Sequence, residues 1–174
     1  MNIENSRVAR KKQNQASTKE WIISLAIALI AVFILRTFII GLAIVDGPSM
    51  LNTIQDGDRI VYSKLSTPKK GDIVVVVTPD GTKIIKRVIG LEGDTVEIKS
   101  GVLFVNGKEK KENYIKEPMY NYDYKKITVP KNEIFVMGDN RNISADSRRF
   151  GTFNLKDHYE GKVVLEFWNN FKLY

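Results

Sequence analysis

The chain is polar and basic for its first 20 residues and then turns apolar. WIISLAIALIAVFIL, residues 21–35, holds one polar side chain, Ser24, and after Arg36 and Thr37 the apolar character resumes as FIIGLAIV. Crossing roughly 30 Å of hydrocarbon takes about 20 helical residues. Residues 21–43 are therefore predicted to form one transmembrane helix, with Arg36 near an interface where its long side chain can reach water. Beyond residue 56 the pattern changes to short apolar runs, rich in valine, isoleucine and aromatics, separated by turn signals. DRIVYSKL, IVVVV, KIIKRVIGL, TVEIK, VLFV, KITV, IFVM and VVLEFW are the predicted strands, and TPKKGD, TPDGT, EGD, SG, PKNE, GDNR and YEG punctuate them. No long 3.6-residue period appears outside the anchor. The expected fold class is all-β, a mostly antiparallel β-sheet domain over residues 44–174 behind one N-terminal transmembrane helix. The polar stretch 107–126 reads as a solvated excursion between strands, although its tyrosines could equally pack on the sheet.

Charge sets the expected topology. Residues 1–20 carry Arg7, Arg10, Lys11, Lys12 and Lys19 against Glu4 and Glu20. This basic tail is expected in the cytoplasm, with residues 44–174 outside the cell membrane. A cleaved secretory leader is disfavoured, because the apolar stretch is too long and no small-x-small cleavage site follows it. Three of the seven net positive charges remain from residue 45 onward, too few to favour nucleic acid as a partner. With no cysteine and the single histidine His158, thiolate chemistry and multi-histidine metal sites are not expected.

Right after the apolar segment comes VDGPSMLNT, in which Ser49 lies eight residues beyond Gly41. Even fully extended, that reaches at most about 28 Å, so Ser49 is expected close to the bilayer. A serine nucleophile needs a base. His158, in the polar turn LKDHYEG, is expected to face solvent. A neutral lysine can serve instead, and holding one neutral at pH 7 costs about 4–5 kcal/mol, within the reach of deep burial. Most lysines fall in clusters, but Lys86 sits inside KIIKRVIGL. Strand alternation puts it on one face with Ile84 and Val88, while Arg87 shares the other with Ile85 and Ile89. The same pattern also fits an edge-strand lysine that blocks aggregation. In FVMGDNRNISADSRRFG, residues 135–151, Ser144 and Ser147 offer hydroxyls, and Asp146 and Arg148 can pair with each other or with strand neighbours. On local chemistry alone that segment is also an ordinary polar loop, and composition alone fits a non-enzymatic, membrane-anchored binding module.

GPSM, KRVIGLEGD and GDNRNISADSRRFG, in that order after an N-terminal anchor, resemble the type I signal peptidases, serine-lysine membrane proteases that remove signal peptides. The resemblance spans nearly the whole chain and is to the short, single-span form. It implies Ser49 as nucleophile, Lys86 as general base, and Ser144 as a hydrogen-bonding partner that orients the lysine. It further implies Asp146 and Arg148 as a supporting pair, Gly138, Asp139, Asn140 and Arg141 as the adjoining wall, and the Ser49 N–H as an oxyanion donor. Signal-peptide-bearing preproteins are the implied partners, with small side chains at the first and third positions before the cut, and no cofactor or metal. Leu51, Ile54 and the EFWNNF segment are candidates to rest on membrane lipid. Two positions depart from the family pattern: Asn52 stands where many members have proline, and Gly47 where some place a serine as second oxyanion donor.

Overall fold

The computed structural model describes residues 3–167 and 171–174, with side chains from residue 18 onward. Two compact units emerge, residues 1–39 and 40–174. In the first, helix α1 (Ile3–Ile34) continues into a π-helical turn, Leu35–Ile39. Thr18–Ile39 is long and apolar enough to cross a membrane, and none of its residues is buried. The helix stops short of the expected residue 43. Ile40–Ile44 is instead strand β1, paired antiparallel with β2 (Arg59–Ser63) from Ile40 opposite Ser63 to Ile44 opposite Arg59. Glycine at position 41 permits the pairing, because a Cβ there would come within 2.0 Å of the Tyr62 ring. Hydropathy cannot separate the end of a span from an apolar strand that follows it directly.

The second unit contains two antiparallel sheets. The larger holds β1, β2, β3 (Ile73–Val77), β4 (Lys83–Leu91), β9 (Glu133–Met137), β10 (Phe153–Asn154), β11 (Tyr159–Phe167) and β12 (Lys172–Leu173). Its order is β1-β2-β11-β3-β4-β9-β10, with β12 added on β11. The smaller runs β7 (Lys108–Glu109), β6 (Val102–Val105), β5 (Thr95–Lys99), β8 (Tyr124–Thr128). Strands β3, β4 and β5 coincide with the runs IVVVV, KIIKRVIGL and TVEIK. These are β-branched sequences that fit a pleated surface; β3 and the middle of β4 are buried on both faces, whereas β5 buries alternate residues.

Three apolar clusters form the core. One gathers Val45, Met50, Ile54, Ile60, Tyr62, Ile73, Val75 and Val163, with Tyr174 packed against it. A second joins Ile89 and Phe135 of the larger sheet to Val96, Ile98 and Leu103 of the smaller. The third holds Val74, Val76, Val88, Ile134, Val136 and Phe153. Ile84 and Val88 belong to this third cluster, whereas Ile85 packs on the first and Ile89 lies in the second. The alternation expected along β4 is thus realised.

Several expectations need correction. Ile54 is fully buried in the first cluster and does not face lipid. Of EFWNNF, Glu166 is buried, Phe171 is exposed, and residues 168–170 lie outside the described residues. His158 is half-buried edge-on to Phe153 rather than solvated, because the turn folds back onto β10. The 107–126 excursion is only partly solvated. Its Glu112 forms a buried ion pair with Arg141, and the Arg87 guanidinium stacks 4.1 Å from the Tyr114 ring centroid.

Candidate active site

Ser49 sits in a compact turn that leads from β1 towards β2. The Leu51 N–H donates to the Pro48 carbonyl, and the Thr53 and Ile54 N–H groups both donate to the Met50 carbonyl. Met50 and Ile54 anchor the turn in the first cluster. Lys86 comes from the middle of β4, paired opposite Val74 of β3. It is 3% exposed. Its Nζ stands 2.8 Å from Ser49 Oγ and 2.8 Å from the Ile85 carbonyl, and donates to both. Burial pushes the Lys86 amine down to about 8, resisted by the carboxylates of Asp146 and Asp139 and assisted by the Arg148 guanidinium.

Those two carboxylates are fully buried, and each is already paired. Asp139 receives Arg87 Nε at 2.8 Å and Nη2 at 2.6 Å, a two-point grip, and Thr53 Oγ1 at 2.5 Å. Asp146 caps the short helix α2 (Ser147–Phe150) by accepting from the Arg148 N–H. It also accepts from the Arg148 side chain at 2.9 and 2.8 Å and from the Gly138 N–H at 3.0 Å. Asn140 holds the serine turn from the other side. Its N–H donates to the Ser49 carbonyl at 3.0 Å and its Nδ2 to the Pro48 carbonyl at 3.1 Å. Arg141 is buried, donating to the Gly138 carbonyl and pairing with Glu112.

One hydroxyl differs from expectation. Ser144 Oγ is buried and makes no hydrogen bond, so the bond to Lys86 implied by the family resemblance is not made. The lysine directs its donors to Ser49 and Ile85, while the Ser144 side chain lies against Gly138, where a Cβ would be 2.3 Å from Oγ. Ser147 Oγ is structural and accepts from the Val136 N–H at 2.9 Å. The Gly47 N–H donates to Asp56 Oδ1 at 2.8 Å, which leaves it unable to act as a second oxyanion donor in this arrangement.

Ser49 and Lys86 open onto a cleft of about 250 Å³ lined also by Val75, Ile84, Ile85 and Ala145. Sequence reasoning missed Thr53, Glu112, Tyr114 and Tyr174 around this centre. Glu112 lies within the charge run KEKKE, and nothing local separates it from its solvated neighbours.

A hydroxyl beside a buried, easily deprotonated amine, both lining one cleft, is the chemistry of a serine hydrolase whose base is lysine. A family model described as signal peptidase, peptidase S26, matches residues 18–168. Signal peptidase I P of Bacillus subtilis subsp. natto is 42% identical over 163 residues, covering 85% of this chain and 88% of that protein. Signal peptidase IB of Staphylococcus aureus (strain Mu50 / ATCC 700699) is 36% identical over 170 residues, covering 86% and 88%. The crystal structure of a signal peptidase I from Enterococcus faecalis V583 aligns with a TM-score of 0.49 and 34% identity, over 56% of this chain and 97% of that one. The chain belongs to the peptidase S26 family of signal peptidases and is a peptidase.

Proposed function

We infer that this peptidase cleaves signal peptides from exported preproteins with Ser49 as nucleophile and Lys86 as general base. The observation that carries the assignment is the 2.8 Å contact between Ser49 Oγ and an amine that is 3% exposed. An amine with a pKa near 8 is neutral in a useful fraction of molecules at physiological pH. In that state its lone pair accepts the Ser49 proton as Oγ bonds to the scissile carbonyl carbon. The Ser49 N–H faces the developing oxyanion. The C–N bond then breaks, and the departing amine of the mature protein takes the proton back from Lys86. Lys86 next removes a proton from water attacking the acyl ester, and Ser49 recovers its hydrogen as the ester opens. The cleft has little volume, and beside the dyad its lining includes Val75, Ile84, Ile85 and Ala145, which suits small side chains before the cut.

Asp146 and Arg148 brace the loop carrying Ser144, and Asp139 and Asn140 brace the serine turn. The anchor is a single span with its basic N-terminal tail in the cytoplasm, so that the β-domain works on the outer side. Lipid is the partner for apolar side chains left exposed on β1 and the final segment: Leu42 at 48%, Ile44 at 67%, Phe171 at 78% and Leu173 at 73% exposure. Ser49→Ala and Lys86→Ala are each expected to abolish processing of a signal-bearing precursor in detergent micelles while the domain stays folded. Substantial cleavage by Lys86→Ala removes the dyad. The chain lacks cysteine, so single cysteines placed before and after the span report orientation by labelling from one side.

A further inference from the structure

We propose that Tyr174 is a positioning residue for Ser49: its hydroxyl ties the serine turn to strand β11 and holds the nucleophile against Lys86. This rests on the assignment of Ser49 given above. The turn is internally stiff, since the carbonyls of Pro48 and Met50 accept the N–H groups of Leu51, Thr53 and Ile54. Fixing Thr53 therefore fixes Ser49, four residues earlier. Besides Lys86 and a 3.4 Å contact from Arg87 Nη2 to the Thr53 hydroxyl, three groups grip this unit from outside. Asn140 holds the carbonyls of Pro48 and Ser49 at one end. Asp139 receives the Thr53 hydroxyl at the other.

The third grip is Tyr174 Oη, 3.2 Å from the Thr53 carbonyl and 2.6 Å from Glu166 Oε2, with one proton shared between the two acceptors. The Tyr174 N–H donates to the Val164 carbonyl at 3.2 Å, so the residue is itself seated on β11. Its ring packs on the cluster that contains Met50 and Ile54. Glu166 is 1% exposed, and burial, with the Asp58 carboxylate nearby, pushes its carboxyl up; Asp58 in turn closes the serine loop by accepting from the Val45 N–H and the Gln55 N–H. The phenol thus meets buried, immobile groups on one side and the turn on the other. Small displacements of a nucleophile from its base are costly in rate, and a hydroxyl on a rigid strand limits them.

Tyr174→Phe removes the oxygen and keeps the ring. With the full chain in detergent micelles and a signal-bearing precursor as substrate, kcat is expected to fall by about 3- to 10-fold, the worth of one hydrogen bond. KM should stay within about twofold, since substrate contacts are untouched. Amide hydrogen exchange over residues 45–58 is expected to quicken while β3 and β4 keep their protection. Tyr174→Leu, which also removes the ring, should repeat the kcat loss and lower Tm as well. Unchanged kcat and unchanged exchange in Tyr174→Phe overturn the proposal, as does a rise in KM with kcat intact. Loss of protection across the whole domain also overturns it, because the tyrosine would then be only structural. The exchange measurement does not require Ser49 to be the nucleophile. An active Ser49→Ala enzyme would therefore refute the catalytic assignment by a separate result.

Discussion

Replacing Lys86 by methionine should destroy the enzyme and strengthen the fold. The ammonium is 3% exposed and its pKa is pushed from its ordinary 10.5 to about 8. That gap corresponds to about 3 kcal/mol by which the charged form is less welcome in the folded protein than in the unfolded chain. The unfolded state binds more protons than the folded state between pH 8 and 10.5. Stability therefore rises with pH across that window, and the full penalty applies below it. Methionine fills a similar volume without charge, but it leaves Ser49 Oγ and the Ile85 carbonyl without their donor. That loss returns about 1 kcal/mol. The net gain at pH 7 is about 2 kcal/mol, or roughly 6–10 °C in Tm for a domain of this size. By pH 10.5 the advantage should have vanished. Thermal unfolding of the full chain in detergent at pH 6, 7, 8, 9 and 10, wild type against Lys86→Met, measures the difference directly. A Tm difference that stays constant over this range would refute the claim that burial depresses the lysine.

Other consequences are equally direct. The kcat/KM profile should show an acid limb near pH 8, reporting deprotonation of Lys86, and its slope of one proton is read from initial rates at low substrate. Gly138→Ala puts a methyl group 2.6 Å from the Ser49 carbonyl and 2.3 Å from Ser144 Oγ. A fall in kcat of at least tenfold is expected by single-turnover acylation, with the fold retained by circular dichroism. Asp139→Ala leaves Arg87 buried without its partner, and denaturant unfolding should show a loss of about 3–5 kcal/mol.

Much of the architecture was legible because β-branched runs and turn residues leave a two-residue signature. Strands β3, β4 and β5 were bounded to the residue by the glycine, proline and aspartate around them. Strand β1 was not, since its apolar residues continue the span and only the partner strand reveals them as extended backbone. Ser49 and Lys86 stood out for separate local reasons, one a hydroxyl in a turn, the other a cation among isoleucines and valines. Their contact is a tertiary event that neither segment encodes alone. Thr53, Glu112 and Tyr174 stayed invisible because each acts through a partner between 8 and 121 residues away. Ser144 shows the reverse limit, where the family pattern supplied a bond that the packing against Gly138 does not make.

The two aspartates nearest Lys86 are both chaperoned by arginines, and this leaves the lysine as the odd cation in an otherwise balanced neighbourhood. Freed from its guanidinium, either carboxylate would court the ammonium and hold its proton fast. An Arg148→Gln enzyme should thus keep its alcohol and its amine in place yet idle at neutral pH and wake only in alkali, with the acid limb displaced upward. The arginines would then serve catalysis by keeping the carboxylates occupied.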